Sequence, residues 1–127
     1  MAGTLVANQI NTDTGLFSTN NAYSGIAKAW VNFVGSSGAV NNSFNVSSVT
    51  RSSLGTYVVN FVTAMPNANY VVATSSTSTQ GSSVLNFMTT NNSSLPTTTT
   101  CSLVCVPSAG GNPLADPTQV YCTIFSS

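Results

Sequence analysis

Glutamate and histidine are absent from this chain of 127 residues, and only four residues carry charge: Asp13, Lys28, Arg51 and Asp116. Each absence removes a class of chemistry. General acid–base catalysis draws on His, Glu, Asp or Lys held close together. With no histidine and two aspartates far apart in sequence, a nucleophilic triad has no parts. Metal centres need clusters of His, Cys or carboxylate. Gripping a nucleic-acid backbone needs many Lys and Arg, and here there are two. Neither GxxxxGK[ST] nor GxGxxG occurs. Lys28 amid hydroxyls is the one opening for Ser–Lys chemistry, but it falls at a polar position of an alternating stretch, where a solvated side chain is expected. The expectation is a non-enzymatic protein without cofactor, metal or nucleic-acid partner.

Long hydrophobic runs are missing too. Nothing approaches the roughly 20 apolar residues of a membrane-spanning helix, so no membrane partner is expected. Met1 to Val6 have neither a basic stretch nor an apolar core of secretory length. Synthesis in a cytoplasm is expected, with any later location reached on a particle. Cysteine is sparse, at positions 101, 105 and 122. Cys101 and Cys105 sit four apart in a strand-like stretch, about 13 Å along it, too far to bridge each other. Either has a route to Cys122 across a strand pair, but free cysteine is among the most buried residue types. All three are read as small core residues.

What is present is hydroxyl, amide and apolar. Ser, Thr and Asn contribute 20, 18 and 15 residues, and 42% of the chain is hydrophobic. Hydroxyl and short amide side chains compete for the backbone hydrogen bonds that helices need, and the hydrophobic period is two almost throughout. Ala27, Ala29, Val31 and Phe33 alternate with Lys28, Trp30, Asn32 and Val34. Phe44 and Val46 alternate with Ser43, Asn45 and Ser47, and Tyr57, Val59 and Phe61 with Val58, Asn60 and Val62. Stretches 70–73, 84–88, 101–106 and 120–125 continue the series. Turn chemistry separates them at 35–38, 51–55, 65–69, 91–96 and 107–117. The 46–57 stretch reads as a hairpin with a loop of several residues. This pattern is that of an all-β protein, an antiparallel β-sandwich or jelly-roll-like domain.

Residues 1–26 differ and read as an N-terminal arm ahead of a 27–127 sandwich domain. Leu16 and Phe17 would be wasted on a solvated tail, so the arm is expected to dock on a neighbour. Zero formal net charge favours association over solitary solubility. Trp30, Phe33, Phe61 and Tyr70 are candidate core or subunit contacts, since aromatics dominate both. Neutral glycan is the competing ligand class, with Trp30, Tyr23, Tyr57, Tyr70 and Tyr121 as stacking candidates. Sequons at Asn41, Asn45, Asn91 and Asn92 carry no weight in so Asn- and Ser-rich a chain.

The sequence Ala27-Lys28-Ala29-Trp30-Val31-Asn32-Phe33, then Phe44 to Val49, then Thr56 to Phe61 and Ala64 to Tyr70, resembles a module of tailed-bacteriophage structural proteins. There a "KAWVNF" strand precedes "FNVSS", a "Y-V-NF" strand and an "AMP-ANY" turn. The resemblance covers residues 27 to 70 and does not extend over the last fifty or so. It implies a trimeric β-sandwich displayed on a virion. Because the chain reaches the module by residue 27 without a shaft, the expectation is a capsid decoration (cement) protein. Its partners would be its own copies and the major capsid protein or another virion protein. A tail-fibre tip recognising host glycan is the alternative.

Overall fold

A computed structural model describes residues 3, 9–12, 15–18, 25–77, 86–108 and 114–127 of the chain, with 9–12 and 15–18 described as backbone. It is an all-β sandwich. The strands among the described residues, in chain order, are β1 (Gln9–Thr12), β2 (Gly15–Ser18), β3 (Ala29–Val34), β4 (Val40–Phe44), β5 (Val46–Ser53), β6 (Thr56–Phe61), β7 (Val71–Ser76), β8 (Asn86–Thr90), β9 (Thr100–Pro107) and β10 (Gln119–Phe125). Two antiparallel four-stranded sheets face each other, ordered β4-β3-β10-β7 and β5-β6-β9-β8, and β1-β2 form a separate hairpin.

The period-two pattern places the core. Ala29, Val31 and Phe33 of β3 and Val120, Cys122 and Ile124 of β10 point inward from the first sheet. They meet Tyr57, Val59 and Phe61 of β6 and Cys101, Leu103 and Cys105 of β9 from the second, all buried. Phe33 meets Tyr57 edge-on with ring centroids 5.1 Å apart, and Phe61 meets Tyr70 at 5.9 Å, the arrangement that aromatic quadrupoles favour. Cys101 and Cys105 lie in the second sheet and Cys122 in the first. Cys122 therefore faces the other two across the sandwich, not across a strand pair, and all three are free, buried thiols.

Three expectations need correction. Phe44 and Val46 do not share a face, because the alternation from 43 to 47 is not one strand. Asn45 between them adopts a left-handed backbone, φ 55°, and the chain steps there from the first sheet to the second. Phe44 is left exposed and Val46 is buried. The β5–β6 connection is a two-residue turn at Leu54-Gly55, not a longer loop, since Arg51 to Ser53 continue the strand. The core half of the Trp30 expectation also gives way. Trp30 lies one residue out of phase with Ala29 and Val31 and faces outward.

Asn45 is fastened on every side. Its Nδ2 donates to the carbonyls of Lys28 (3.0 Å) and Thr63 (3.1 Å), its Oδ1 accepts from Thr63 N–H (2.7 Å), and its own carbonyl accepts from Val62 N–H (3.2 Å). Across the sandwich, hydroxyls close the gap between β7 and β8. Thr74 donates to Met88 O at 2.7 Å, Ser76 to Asn86 O at 3.3 Å, and Asn86 Nδ2 to Thr77 O at 3.2 Å.

Replacing Asn45 with Ala removes three side-chain hydrogen bonds and leaves a strained φ, an expected loss of about 2–3 kcal/mol. Asn45→Gly relieves the strain and recovers about 1 kcal/mol of it. Urea unfolding midpoints of the two variants check this order.

Candidate functional site

Among the described residues, two charged side chains meet in one place, Arg51 with Asp116, and that place is structural. Asp116, in the segment leading into β10, accepts from Arg51 Nε (2.9 Å) and a terminal guanidinium nitrogen (2.7 Å) on Oδ2. Its Oδ1 takes Gly55 N–H (2.8 Å) and the Tyr57 hydroxyl (2.7 Å). Gly55 sits at φ 64°, and a Cβ there would come within 2.8 Å of Ala115 O. On the other side Pro117 packs so closely on Gly35, in the β3–β4 turn, that any side chain at 35 would overlap its carbonyl. Residues 114–118 are thus wedged between a turn of each sheet. Burial alone would raise the Asp116 carboxyl, but the hydrogen bonds from Arg51, Gly55 and Tyr57 and the Arg51 charge together hold it below its ordinary value. Burial, and then the bond to Asp116, push the Tyr57 hydroxyl up. With every lone pair of the carboxylate occupied, no group here is poised to react.

Exposed apolar groups occur on both sheets, and on the first they run across all four strands. Register places Trp30 beside Phe44 and Thr123, and Asn32 beside Asn42 and Tyr121. Beyond them Ala73 stands next to Thr123, Ser75 next to Tyr121, and Val71 next to Phe125. The outer face of this sheet therefore carries Phe44 (54% exposed), Trp30 (37%), Tyr121 (42%) and Val71 (66%), and none of these outward positions is charged. Trp30 and Tyr121, on adjacent strands two residues out of register, are diagonal neighbours within aromatic reach. An amide cluster flanks them, in which Asn41 Nδ2 donates to Gln119 Oε1 (2.7 Å) and Asn32 Oδ1 (3.3 Å).

The second sheet's outer face is built differently. Asn60 Nδ2 donates to Ser48 Oγ (3.1 Å) and Thr50 Oγ1 (3.4 Å), and Ser47 donates to Asn60 O (3.1 Å). The loop after β8 folds over the sheet, where Ser94 and Ser102 hydroxyls meet at 3.0 Å and Ser102 is buried. Its exposed large apolar groups are the Phe87–Val106 pair, with Leu95 on the loop.

An open groove of about 600 Å³ adjoins the first sheet, at the end of β3 away from Asp116. Ile26 to Lys28 form one wall, Phe44 and Asn45 another, and Val62 to Pro66 the third. Ile26, Phe44 and Val62 are exposed and Met65 is buried. The hydrogen bonds of Asn45 tie these walls together. Phe44 belongs both to the groove and to the outer face, so the two make one continuous apolar surface.

The candidate residues separate accordingly. Phe33, Phe61 and Tyr70 are in the core, where Tyr70 donates its hydroxyl to Thr100 O (2.8 Å) and Thr97 O (3.1 Å). Tyr57 and Tyr70 are thereby unavailable for stacking on a glycan, whereas Trp30 and Tyr121 share an open face. Lys28 lies in the groove, and Tyr23 is outside the described residues. Leu16 and Phe17 are on β2, opposite Asn11 and Ile10, but their side chains, and so their docking, lie outside what is described. Burial raises the cysteine thiols, Cys101 and Cys105 to about 11 and Cys122 further, which makes them poor nucleophiles at neutral pH. No protein-family model, curated protein or solved structure matches the chain.

Asp116 gives the fold an acid limit. Its folded pKa lies below the ordinary 3.8. The stability it adds is therefore complete above the unfolded chain's value and is lost as pH falls through the lower, folded one. Asp116→Asn is expected to cost on the order of 2 kcal/mol near neutral pH and to flatten the acid side of the stability curve, read by urea unfolding from pH 7 to 2.

Proposed function

We propose that this chain is a non-enzymatic structural protein of a bacteriophage virion, a trimeric capsid decoration protein that binds and stabilises the head shell. One observation carries the reading: the first sheet's uncharged outer face of Trp30, Phe44, Tyr121 and Val71, set against a second sheet that satisfies its own polar groups. A contiguous exposed apolar surface on a small domain marks an interaction site, and a face without ions matches partners without electrostatic steering. The resemblance over residues 27 to 70 supplies the virion context. Shell binding would come from many copies of a modest contact, strong together through multivalency.

The pairing of Trp30 and Tyr121 beside Asn32, Asn41 and Gln119 favours a second reading. Aromatic faces flanked by amides suit a neutral sugar, and the chain would then be a fibre tip that recognises host surface glycan. In that case Trp30→Ala abolishes binding to host envelope polysaccharide and leaves the oligomer intact.

Under the decoration reading, Trp30→Glu is expected to lower the oligomer mass measured by light scattering and to weaken binding to empty shells at least tenfold. Because Trp30 is a surface residue of the single chain, the urea midpoint should move by no more than about 0.5 kcal/mol equivalent. Thr89→Glu, on the other sheet's outer face, should change neither. Shell binding by the unaltered protein should be nearly constant between low and moderate salt, since screening acts on charges the contact does not use. A steep salt dependence would count against it.

A further inference from the structure

Lysine and arginine each occur once, at Lys28 and Arg51, so a protease that cuts after basic residues has two places to act in the whole chain. Cleavage needs the segment drawn out as a free strand. Its carbonyl must enter the protease's oxyanion hole and its basic side chain the specificity pocket. At both places the fold holds these groups for itself.

The Lys28–Ala29 bond leads into β3, an inner strand between β4 and β10. The Lys28 N–H donates to Ile124 O at 2.8 Å. Its carbonyl, the one a protease must polarise, accepts from Asn45 Nδ2 at 3.0 Å. Ala29, on the far side of the bond, is fully buried. The Arg51–Ser52 bond lies on β5, an edge strand, where an open backbone is the ordinary hazard. Two contacts close it. Asp116 holds the guanidinium at 2.7 and 2.9 Å, in place of the carboxylate that a trypsin pocket offers. Gly38, in the β3–β4 turn, lies against the strand's backbone, and a Cβ there would stand 2.8 Å from Val49 O and 3.3 Å from Arg51 N.

We propose that the folded chain is closed to trypsin-class proteases by two separate locks, Asn45 over the Lys28–Ala29 bond and Asp116 over the Arg51–Ser52 bond. The locks lie at opposite ends of β3, so each opens without the other. With no further basic residue in the sequence, their opening limits such proteolysis of the entire chain. All the contacts are within one chain, so the device stands independently of the virion reading. It suits a protein displayed where secreted proteases act.

The test is trypsin digestion of the full-length chain, with products weighed by mass spectrometry. A trypsin pulse on the urea-unfolded chain gives the reference rate, with fragments 1–28, 29–51 and 52–127. The folded chain is expected to be cut at least about a hundredfold more slowly, because cleavage waits on opening. Asn45→Ala should speed the cut after Lys28 about tenfold more than the cut after Arg51, and Asp116→Asn the reverse. A folded chain cut at close to the unfolded rate overturns the proposal. So do variants that speed both cuts equally, since global unfolding alone then governs, and variants that speed neither. Should circular dichroism show either variant unfolded, Asn45→Gly and Arg51→Lys read the same ratio, the latter keeping a cleavable residue without the two-pronged contact to Asp116.

Discussion

The Asp116 carboxylate holds the sandwich together at one end. It takes Arg51, Gly55 and Tyr57 from the second sheet and belongs itself to the segment that feeds β10, an inner strand of the first. The register of β10 against both β3 and β7 follows from where that segment enters. The close approaches of Ala115 to Gly55 and of Pro117 to Gly35 leave it no room to shift. A partly buried carboxylate with four donors is favourable because nothing on it is left unpaired.

Elsewhere neutral groups do what charge does in most small domains. Thr74, Ser76 and Asn86 cap backbone groups across the β7–β8 gap, so this pair of strand edges is not left as a bare template for another chain. Asn60 and its hydroxyl neighbours satisfy one another over the β5–β6 part of the second sheet's surface. The abundance of Ser, Thr and Asn thus has a structural use on one side of the molecule. On the other side it is displaced by Trp30, Phe44, Tyr121 and Val71, one exposed apolar or aromatic group from each of the four strands.

How much of this was legible in the sequence depended on the distance over which the determining contact acts. The inward rows of β3, β6 and β10 follow from a period of two, a purely local signal, and they gave the sandwich. The outward position of Trp30 was in the same pattern, since it falls out of phase with Ala29 and Val31; aromatic bulk argued for the core and alternation for the surface, and alternation won. Asn45 was hidden because a left-handed residue between Phe44 and Val46 leaves the alternation looking unbroken. The Asp116–Arg51 pair joins positions 65 apart, beyond any local pattern. The available hint was scarcity, because a chain with two charges of each sign has few ways to place them. The outer face and groove needed strand order, as they join β4, β3, β10 and β7 with the segment after β6.

The single-residue step at Asn45 also gives the sandwich a spine. At that corner the two sheets are one continuous chain, locked by the bonds of Asn45 to residues 28, 62 and 63. At the opposite corner the described bonds between β7 and β8 run through three side chains. A load that pulls the two faces apart therefore meets a one-residue step in the chain on one side and, on the other, hydroxyl and amide bonds beside the longer connection from β7 to β8. The slack between the faces is thus greatest at the β7–β8 edge, where Thr74, Ser76 and Asn86 act as the clasp.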